Sequence, residues 1–307
     1  MDKESSNTRE TQVESAILYK CIIEDAYDNV DGWMCKKPKD VYEIKKSKSA
    51  KSPVDRYSEV YNMNHKQRGI AIIFNHIHFK NMAERNGAQK DSSNLASTLM
   101  QLGFDVRVYL DPPLRTISTV LQSTSAEDHT DSDCLVVAAM SHGESGFLFS
   151  LDSMYSVDVL WTPFTAERCP TLAGKPKLFF IQACRGTNTD SGVEMHETDS
   201  TSSYTLPNFA DILIAYSTYD GYYSWRNPDT GSWFIEALCQ ELNENGKTHD
   251  LLRIMTSVIR RVAIEYQSYV PHSEKFHQKK QIPSIVSMLT RLVYFSKKEP
   301  IGRMVVD

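Results

Sequence analysis

Six short apolar runs, recurring from residue 68 to near the end of the chain, restrict the fold more than any other feature of the sequence. They are RGIAIIFN (68–75), FDVRVYL (104–110), CLVVAAM (134–140), KLFFIQA (177–183), DILIAYS (211–217) and MLTRLVYF (288–295). Short runs rich in β-branched and aromatic residues suit strands, and those apolar at nearly every position suit strands covered on both faces. Helical patterns separate them. Leu95, Leu99 and Leu102 share one face of residues 91–102, with Asp91 a candidate cap at the start and Gly103 at the end. Residues 232–245 set Trp233, Phe234, Ala237, Leu238, Glu241 and Leu242 at helical spacing, and residues 248–266 align Leu251, Leu252, Met255, Val258, Ile259 and Val262. Strands alternating with helices predict an α/β protein: a mostly parallel central sheet flanked by helices on both faces.

A chain of 307 residues, 41% hydrophobic, can bury a full core without disulfides or metals. No apolar run reaches the 18 or so residues of a membrane span, and MDKESSNTRETQ lacks the apolar core of a secretion signal. Six scattered cysteines without a CxxC pair read as free thiols in a reducing, cytoplasmic setting. The formal charge of −5 argues against nucleic acid as a partner, and nothing calls for a membrane. That charge is uneven: residues 36–51 carry seven lysines against Asp40 and Glu43, which reads as a solvated basic arm. Residues 187–207 (TNTDSGVEMHETDSTSSYTLP) offer only Val193, Met195 and Leu206 as aliphatic anchors, and such a long polar linker is where a protease cuts.

Functional groups of open α/β sheets gather at the carboxyl ends of strands. Run 134–140 leads into Ser141-His142-Gly143-Glu144, and run 177–183 into Gln182-Ala183-Cys184-Arg185-Gly186. If these strands are parallel neighbours, His142 and Cys184 reach the same edge. A thiol beside an imidazole supplies a nucleophile and a proton shuttle for covalent acyl transfer. Gly143 and Gly186 let backbone approach a substrate, and amides near Gly143 and Cys184 can stabilise an oxyanion. Taken alone, a Cys and a His are far more often a buried small hydrophobe and a satisfied loop histidine than a catalytic pair. No GxGxxG or GxxxxGK follows a strand, and His76-Ile77-His78 lacks Cys or acid partners at ligand spacing. No metal or cofactor is expected.

The words around the pair decide between these readings. QACRG (182–186) and SHGESG (141–146) resemble the cysteine and histidine signatures of the caspases, in the expected order. The resemblance runs on through ERNGAQKDSSNL (84–95), LGFDV (102–106), EDH (127–129), GKPKLFFIQACRG (174–186), AYST (215–218), GYYSWRN (221–227), GSWFIEAL (231–238) and KKQIPSIVSMLT (279–290). It covers nearly everything from residue 55 onward and is most similar to the effector class. It implies a caspase-like three-layer sandwich and an aspartate-specific cysteine endopeptidase of apoptosis, made as a zymogen. By the same resemblance Cys184 is the nucleophile and His142 the general acid/base. The amides of Gly143 and Cys184 form the oxyanion hole, and the Ala83 carbonyl orients the histidine.

Arg85, Gln182 and Arg226 match the pocket for the substrate aspartate. Two guanidinium forks and an amide can surround one short carboxylate with charge-assisted hydrogen bonds. Asparagine would leave them poorly paired, at a cost on the order of 10³-fold or more in rate. The resemblance further implies that the Ser224 and Arg226 backbone pairs with substrate as an added strand. Tyr223, Trp225 and Phe276 resemble the wall of the next subsite. Trp233 and Asn227, with Tyr269, resemble the subsite three residues before the target aspartate. Two departures bear on these outer subsites. Tyr219-Asp220 stands where relatives often read Ala-Pro, and YVPHSEKF (269–276) is slightly long and contains Pro271.

An enzyme that cuts after aspartate also makes its own loops legible. Cleavage is expected after Asp199, within Glu197-Thr198-Asp199-Ser200, and after Asp31, within Asp28-Asn29-Val30-Asp31-Gly32, with Asp25 and Asp190 as runners-up. The implied organisation is a prodomain (1–31), a basic arm (32–67), a large catalytic subunit (68–199), the linker (187–207) and a small subunit (208–307). Residues 68–307 together form one caspase domain. A prodomain this short cannot hold a helical recruitment domain of roughly 80–90 residues, which favours the effector class. The implied partners are protein substrates, an upstream initiator caspase, inhibitor-of-apoptosis proteins as candidates, and a second copy. Run 288–295 is expected as an exposed edge strand that pairs with its copy, giving a dimer of large/small heterodimers. A relative cutting after Arg or Lys would need an acidic pocket, which Arg85 and Arg226 oppose. An inactive scaffold would lack Cys184, His142 or a pocket arginine, and all are present.

Overall fold

The computed structural model describes Asp55 and residues 57–190, 209–227, 229–298 and 304–306. The expected cleavage sites Asp31 and Asp199, with Asp25 and the basic run 36–51, lie outside the described residues. In chain order the elements are β1 (Ile70–Asn75), α1 (Ala88–Gln101), β2 (Asp105–Leu110), α2 (Leu114–Ala126), β3 (Leu135–Met140), a ribbon of β4 (Gly143–Glu144), β5 (Phe147–Phe149) and β6 (Met154–Ser156), then β7 (Lys177–Gln182) and β8 (Ile212–Tyr216). A short pair follows, β9 (Arg226–Asn227) and β10 (Gly231–Ser232), then α3 (Trp233–Asn245), α4 (Leu251–Glu265), β11 (Ser284–Ser287) and β12 (Met304–Val306).

Among the described residues, seven strands form the main sheet, in the order β11-β8-β7-β3-β1-β2-β12. All neighbours pair in parallel except β11, which runs antiparallel to β8. Alternation along the strands divides two cores. Ala71, Ile73, Val136, Ala138, Leu178 and Phe180 face α1, α3 and α4 through Leu95, Phe234, Leu238 and Val258. Ile72, Phe74, Val137, Ala139, Phe179 and Ile181 face α2 and residues 157–172 through Ile117, Leu121, Leu160 and Phe164. The expected parallel sheet with helices on both faces is therefore present.

Two local expectations need correction, and one helix went unpredicted. The edge strand is Ser284–Ser287, not 288–295. Met288 still pairs, its N–H donating to the Ile212 carbonyl at 2.8 Å, but then the chain leaves the sheet. Thr290 is drawn to Asp211 (Oγ1 to Oδ1, 2.7 Å) and to the Tyr61 hydroxyl (2.9 Å), so Val293 and Phe295 drop into the core instead of lying along an edge. Asp91 is not a cap. Helix α1 begins three residues earlier, after Gly87 in the left-handed region (φ 82°), and Asp91 turns inward. Helix α2 escaped the patterning because its segment, LRTISTVLQSTSA, is rich in Ser, Thr and β-branched residues of modest helix propensity. Its burial repeat of Ile117, Leu121 and Thr124 is nonetheless helical.

Candidate active site

The register of β3 against β7 positions the reactive pair. Met140 lies opposite Gln182, so two residues further on His142 and Cys184 leave the sheet side by side. The Ser141 N–H donates to the Gln182 carbonyl at 3.0 Å and holds the two exits together. Gly143 sits where a Cβ would come within 2.8 Å of the Cys184 carbonyl and 2.9 Å of the Ala183 Cβ, so only glycine allows the two loops this close.

His142 Nε2 lies 2.8 Å from the Ala83 carbonyl. A carbonyl only accepts, so Nε2 carries the proton and Nδ1 of the neutral ring keeps its lone pair. Phe79 packs against the ring with centroids 4.8 Å apart. Burial, reinforced by Arg85 and Arg226, holds the imidazole below the ordinary histidine range. Burial pushes the Cys184 thiol up, against the opposing pull of the Ser224 N–H and the two arginines. At neutral pH both groups are therefore uncharged. The sulfur accepts from the Ser224 N–H (3.4 Å) and donates to the Ser224 carbonyl (3.8 Å); among the described residues no hydrogen bond joins it to His142.

Beside the thiol lie two guanidinium groups. Arg85 is 1% exposed. Its Nη1 donates to the His76 carbonyl at 2.7 Å, while Nη2 is buried with no hydrogen-bond partner among the described residues. Burial, then repulsion from Arg226, pushes Arg85 down to about 9, so it remains a cation at neutral pH. Half-buried Arg226 donates from Nε to the Asn86 carbonyl at 2.7 Å. Asp91 attracts both, but its own oxygens accept from the Ser232 N–H (2.7 Å) and hydroxyl (2.5 Å). Gln182 donates from Nε2 to the Ser224 hydroxyl at 2.8 Å and leaves its buried Oε1 unpaired. A half-turn of that amide lets Ser224 donate to Oε1 and frees the Nε2 protons.

Tyr223, Trp225 and Phe276 form one aromatic set, with ring centroids 5.7–6.2 Å apart. Trp233 stacks on Trp225 at 5.9 Å. Tyr269 does not join them. It is 82% exposed and meets His277 edge-on, and Tyr266 takes the place beside Trp233 at 5.5 Å. Asn227 is exposed in β9. The resembling motif at 279–290 contains Gln281 but gave no role for it: Gln281 accepts from the Trp225 N–H at 2.6 Å and donates to the Ser217 carbonyl at 2.7 Å. Nor did residue patterns show the role of Asp220, whose departure from the resembled pattern was its only signal.

A thiol and a neutral imidazole at the ends of adjacent parallel strands, beside two sparsely compensated guanidinium groups, describe a cysteine hydrolase with a preference for acidic side chains. Comparison with known proteins is more specific. Residues 68–294 match the family model described as "Caspase domain". Caspase-1 of Spodoptera frugiperda is 50% identical over 256 residues, covering 81% of this chain and 86% of that protein. Caspase drICE of Drosophila melanogaster is 48% identical over 265 residues, covering 83% and 78%. The crystal structure of the Spodoptera frugiperda caspase-1 superposes with a TM-score of 0.77 at 51% identity, covering 81% of this chain and all of that one. The chain belongs to the caspase family. It is an effector-type, aspartate-specific cysteine endopeptidase of apoptosis, and its substrates are proteins cut after aspartate.

Proposed function

We propose that Cys184 is the nucleophile and His142 the general acid/base of this peptidase, with Arg85, Gln182 and Arg226 holding the substrate aspartate. The observation that carries the reading is the buried, unpartnered Nη2 of Arg85 beside Arg226, with both guanidinium groups acting on the Cys184 thiol. A buried donor lacking an acceptor is costly, and a substrate carboxylate relieves that cost. Binding energy and specificity thus share one source.

The reaction follows from the protonation states. Nδ1 of neutral His142 takes the thiol proton as the sulfur attacks the carbonyl carbon of the substrate aspartate. The Gly143 and Cys184 N–H groups receive the oxyanion. The imidazolium returns its proton to the leaving amine, and water then hydrolyses the thioester with His142 again as base. The sulfur's bonds to Ser224 must open first. A substrate strand pairing with the Ser224 and Arg226 backbone competes for the same N–H and carbonyl. Tyr223, Trp225 and Phe276 border the next subsite, with Trp233 and Asn227 beyond.

Maturation by cuts after Asp31 and Asp199, made by an upstream initiator caspase or by another copy, yields the prodomain, large and small segments of one domain. Inhibitor-of-apoptosis proteins are candidate regulators, and the enzyme acts in the cytoplasm. No helix among the described residues is long and apolar enough to cross a membrane. The free edge of β11, with Val286 49% exposed, suits pairing with a second copy into a dimer of heterodimers. Expression of the full chain and its Cys184→Ala form tests the reading, with fragments and hydrolysis of peptides ending in Asp, Glu or Asn compared. Self-cleavage near Asp199 in the parent alone, with turnover confined to Asp peptides, is expected. Equal processing in both forms assigns maturation to another protease, and turnover of Asn peptides refutes the aspartate pocket.

A further inference from the structure

Three loops surround the thiol: one carries His142, one carries Cys184, and one leads to Ser224. Asp220, on the third, bonds to both of the others. Asp220 Oδ1 accepts from the Ser145 hydroxyl at 2.8 Å and pairs with the Arg185 guanidinium at 3.3 Å. Ser145 lies three residues after His142, Arg185 directly follows Cys184, and Asp220 lies four residues before Ser224. Arg185 is held from its other side by the Tyr216 ring, 4.0 Å from the guanidinium carbon. The backbone repeats the link. Gly221 N–H donates to the Arg185 carbonyl (2.8 Å), Arg185 N–H to Tyr222 (3.0 Å), and Tyr223 N–H to Asn188 (3.0 Å). A Cβ on Gly186 would lie 2.3 Å from the Gly221 carbonyl oxygen, so the two strips run in direct backbone contact.

We propose that Asp220 is a positioning residue for the reaction: it fixes the strip bearing Ser224 and Arg226 against both the histidine and cysteine loops. This rests on the assignment of Cys184 and His142 as the catalytic pair. Asp220 touches no reacting atom. Its carboxylate acts through Ser145 and Arg185, and its effect is to hold the aspartate pocket in register with the nucleophile. The clamp is a partly exposed ion pair, with side chains 19% and 48% accessible, so salt weakens it.

The test uses the full chain after cleavage, with a tetrapeptide substrate ending in aspartate. Asp220→Asn removes the charge and is expected to lower kcat/KM by roughly 3- to 30-fold with an unchanged thermal midpoint, the range for a half-exposed charged hydrogen bond. Asp220→Glu should recover part of the loss. Ser145→Ala combined with Asp220→Asn should cost less than the product of the single effects, because both break one network. The ratio of parent to Asp220→Asn activity should shrink as salt rises. An Asp220→Asn enzyme within about twofold of the parent at low salt, with a constant ratio as salt rises, overturns the clamp. A parent inactive on every aspartate peptide overturns the catalytic assignment itself, and the clamp falls with it.

Discussion

Arg85→Met separates what Arg85 does for the fold from what it does for the reaction. Burial beside Arg226 pushes the guanidinium from 12.5 to about 9, so the folded protein carries a strained cation. At 1.36 kcal/mol per tenfold, that drop is worth about 5 kcal/mol. Methionine is of similar length and carries no charge, so it removes this cost. It also takes the donor from the His76 carbonyl, now held at 2.7 Å, which returns about 1–3 kcal/mol of penalty. The net expectation is a variant about 2–4 kcal/mol more stable than the parent. In a domain of this size that raises the thermal midpoint by about 5–15 °C. Between pH 5 and 8 the guanidinium is charged in both folded and unfolded chains, so the gain should hold across that range. Hydrolysis after aspartate should fall on the order of 10³-fold, since one fork of the recess is gone. Denaturant titration and peptide kinetics on the same preparation measure both. An Arg85→Met protein less stable than the parent that still prefers Asp to Asn peptides would refute the reasoning.

The resting pair and a buried lysine supply further predictions. Because burial lowers His142 and raises Cys184, the acid limb of kcat/KM should lie below the ordinary histidine value of about 6.5. Iodoacetamide should label Cys184 of the uncut chain at pH 7 more slowly than free cysteine; an acid limb above 7 or faster labelling contradicts a neutral pair. Lys177 is fully buried, donates to the Leu172 (3.3 Å) and Lys175 (2.9 Å) carbonyls, and is pushed by burial from 10.5 to about 8. Between those values the unfolded chain binds more protons than the folded one. Stability should therefore rise with pH across about 8 to 10.5, by about 3 kcal/mol from this group. Lys177→Met should lose that slope, and equal slopes in parent and variant on denaturant titration would count against it.

The sheet was legible because each buried strand is a short apolar run bounded by polar turns, and because the two reactive words follow two such runs. The edges were less legible. Run 288–295 has the composition of a strand, but Thr290 is drawn to Asp211, seventy-nine residues away in sequence, and the remainder becomes core. Asp91 sits where a cap would sit, yet its partner is Ser232, 141 residues on. Composition reports local preference, whereas these residues answer to distant partners. Tyr269 shows the same limit within the site. Its type fits an aromatic subsite, but its side chain is exposed and Tyr266 lies beside Trp233 instead. Asp220 was visible only as a departure, because its meaning depends on two other loops.

The neighbouring strands β7 and β8 come from opposite sides of residues 191–208, and they zip together from Lys177–Ile212 to Ile181–Tyr216. A nick in that stretch therefore leaves no seam in the sheet. Parting the halves would bare fully buried residues such as Leu178, Phe179, Leu213 and Ala215. Cutting changes the covalent bookkeeping of the molecule without letting either piece depart. A cut there would leave both pieces held in one sheet, so the scission would persist as a record in an otherwise intact body.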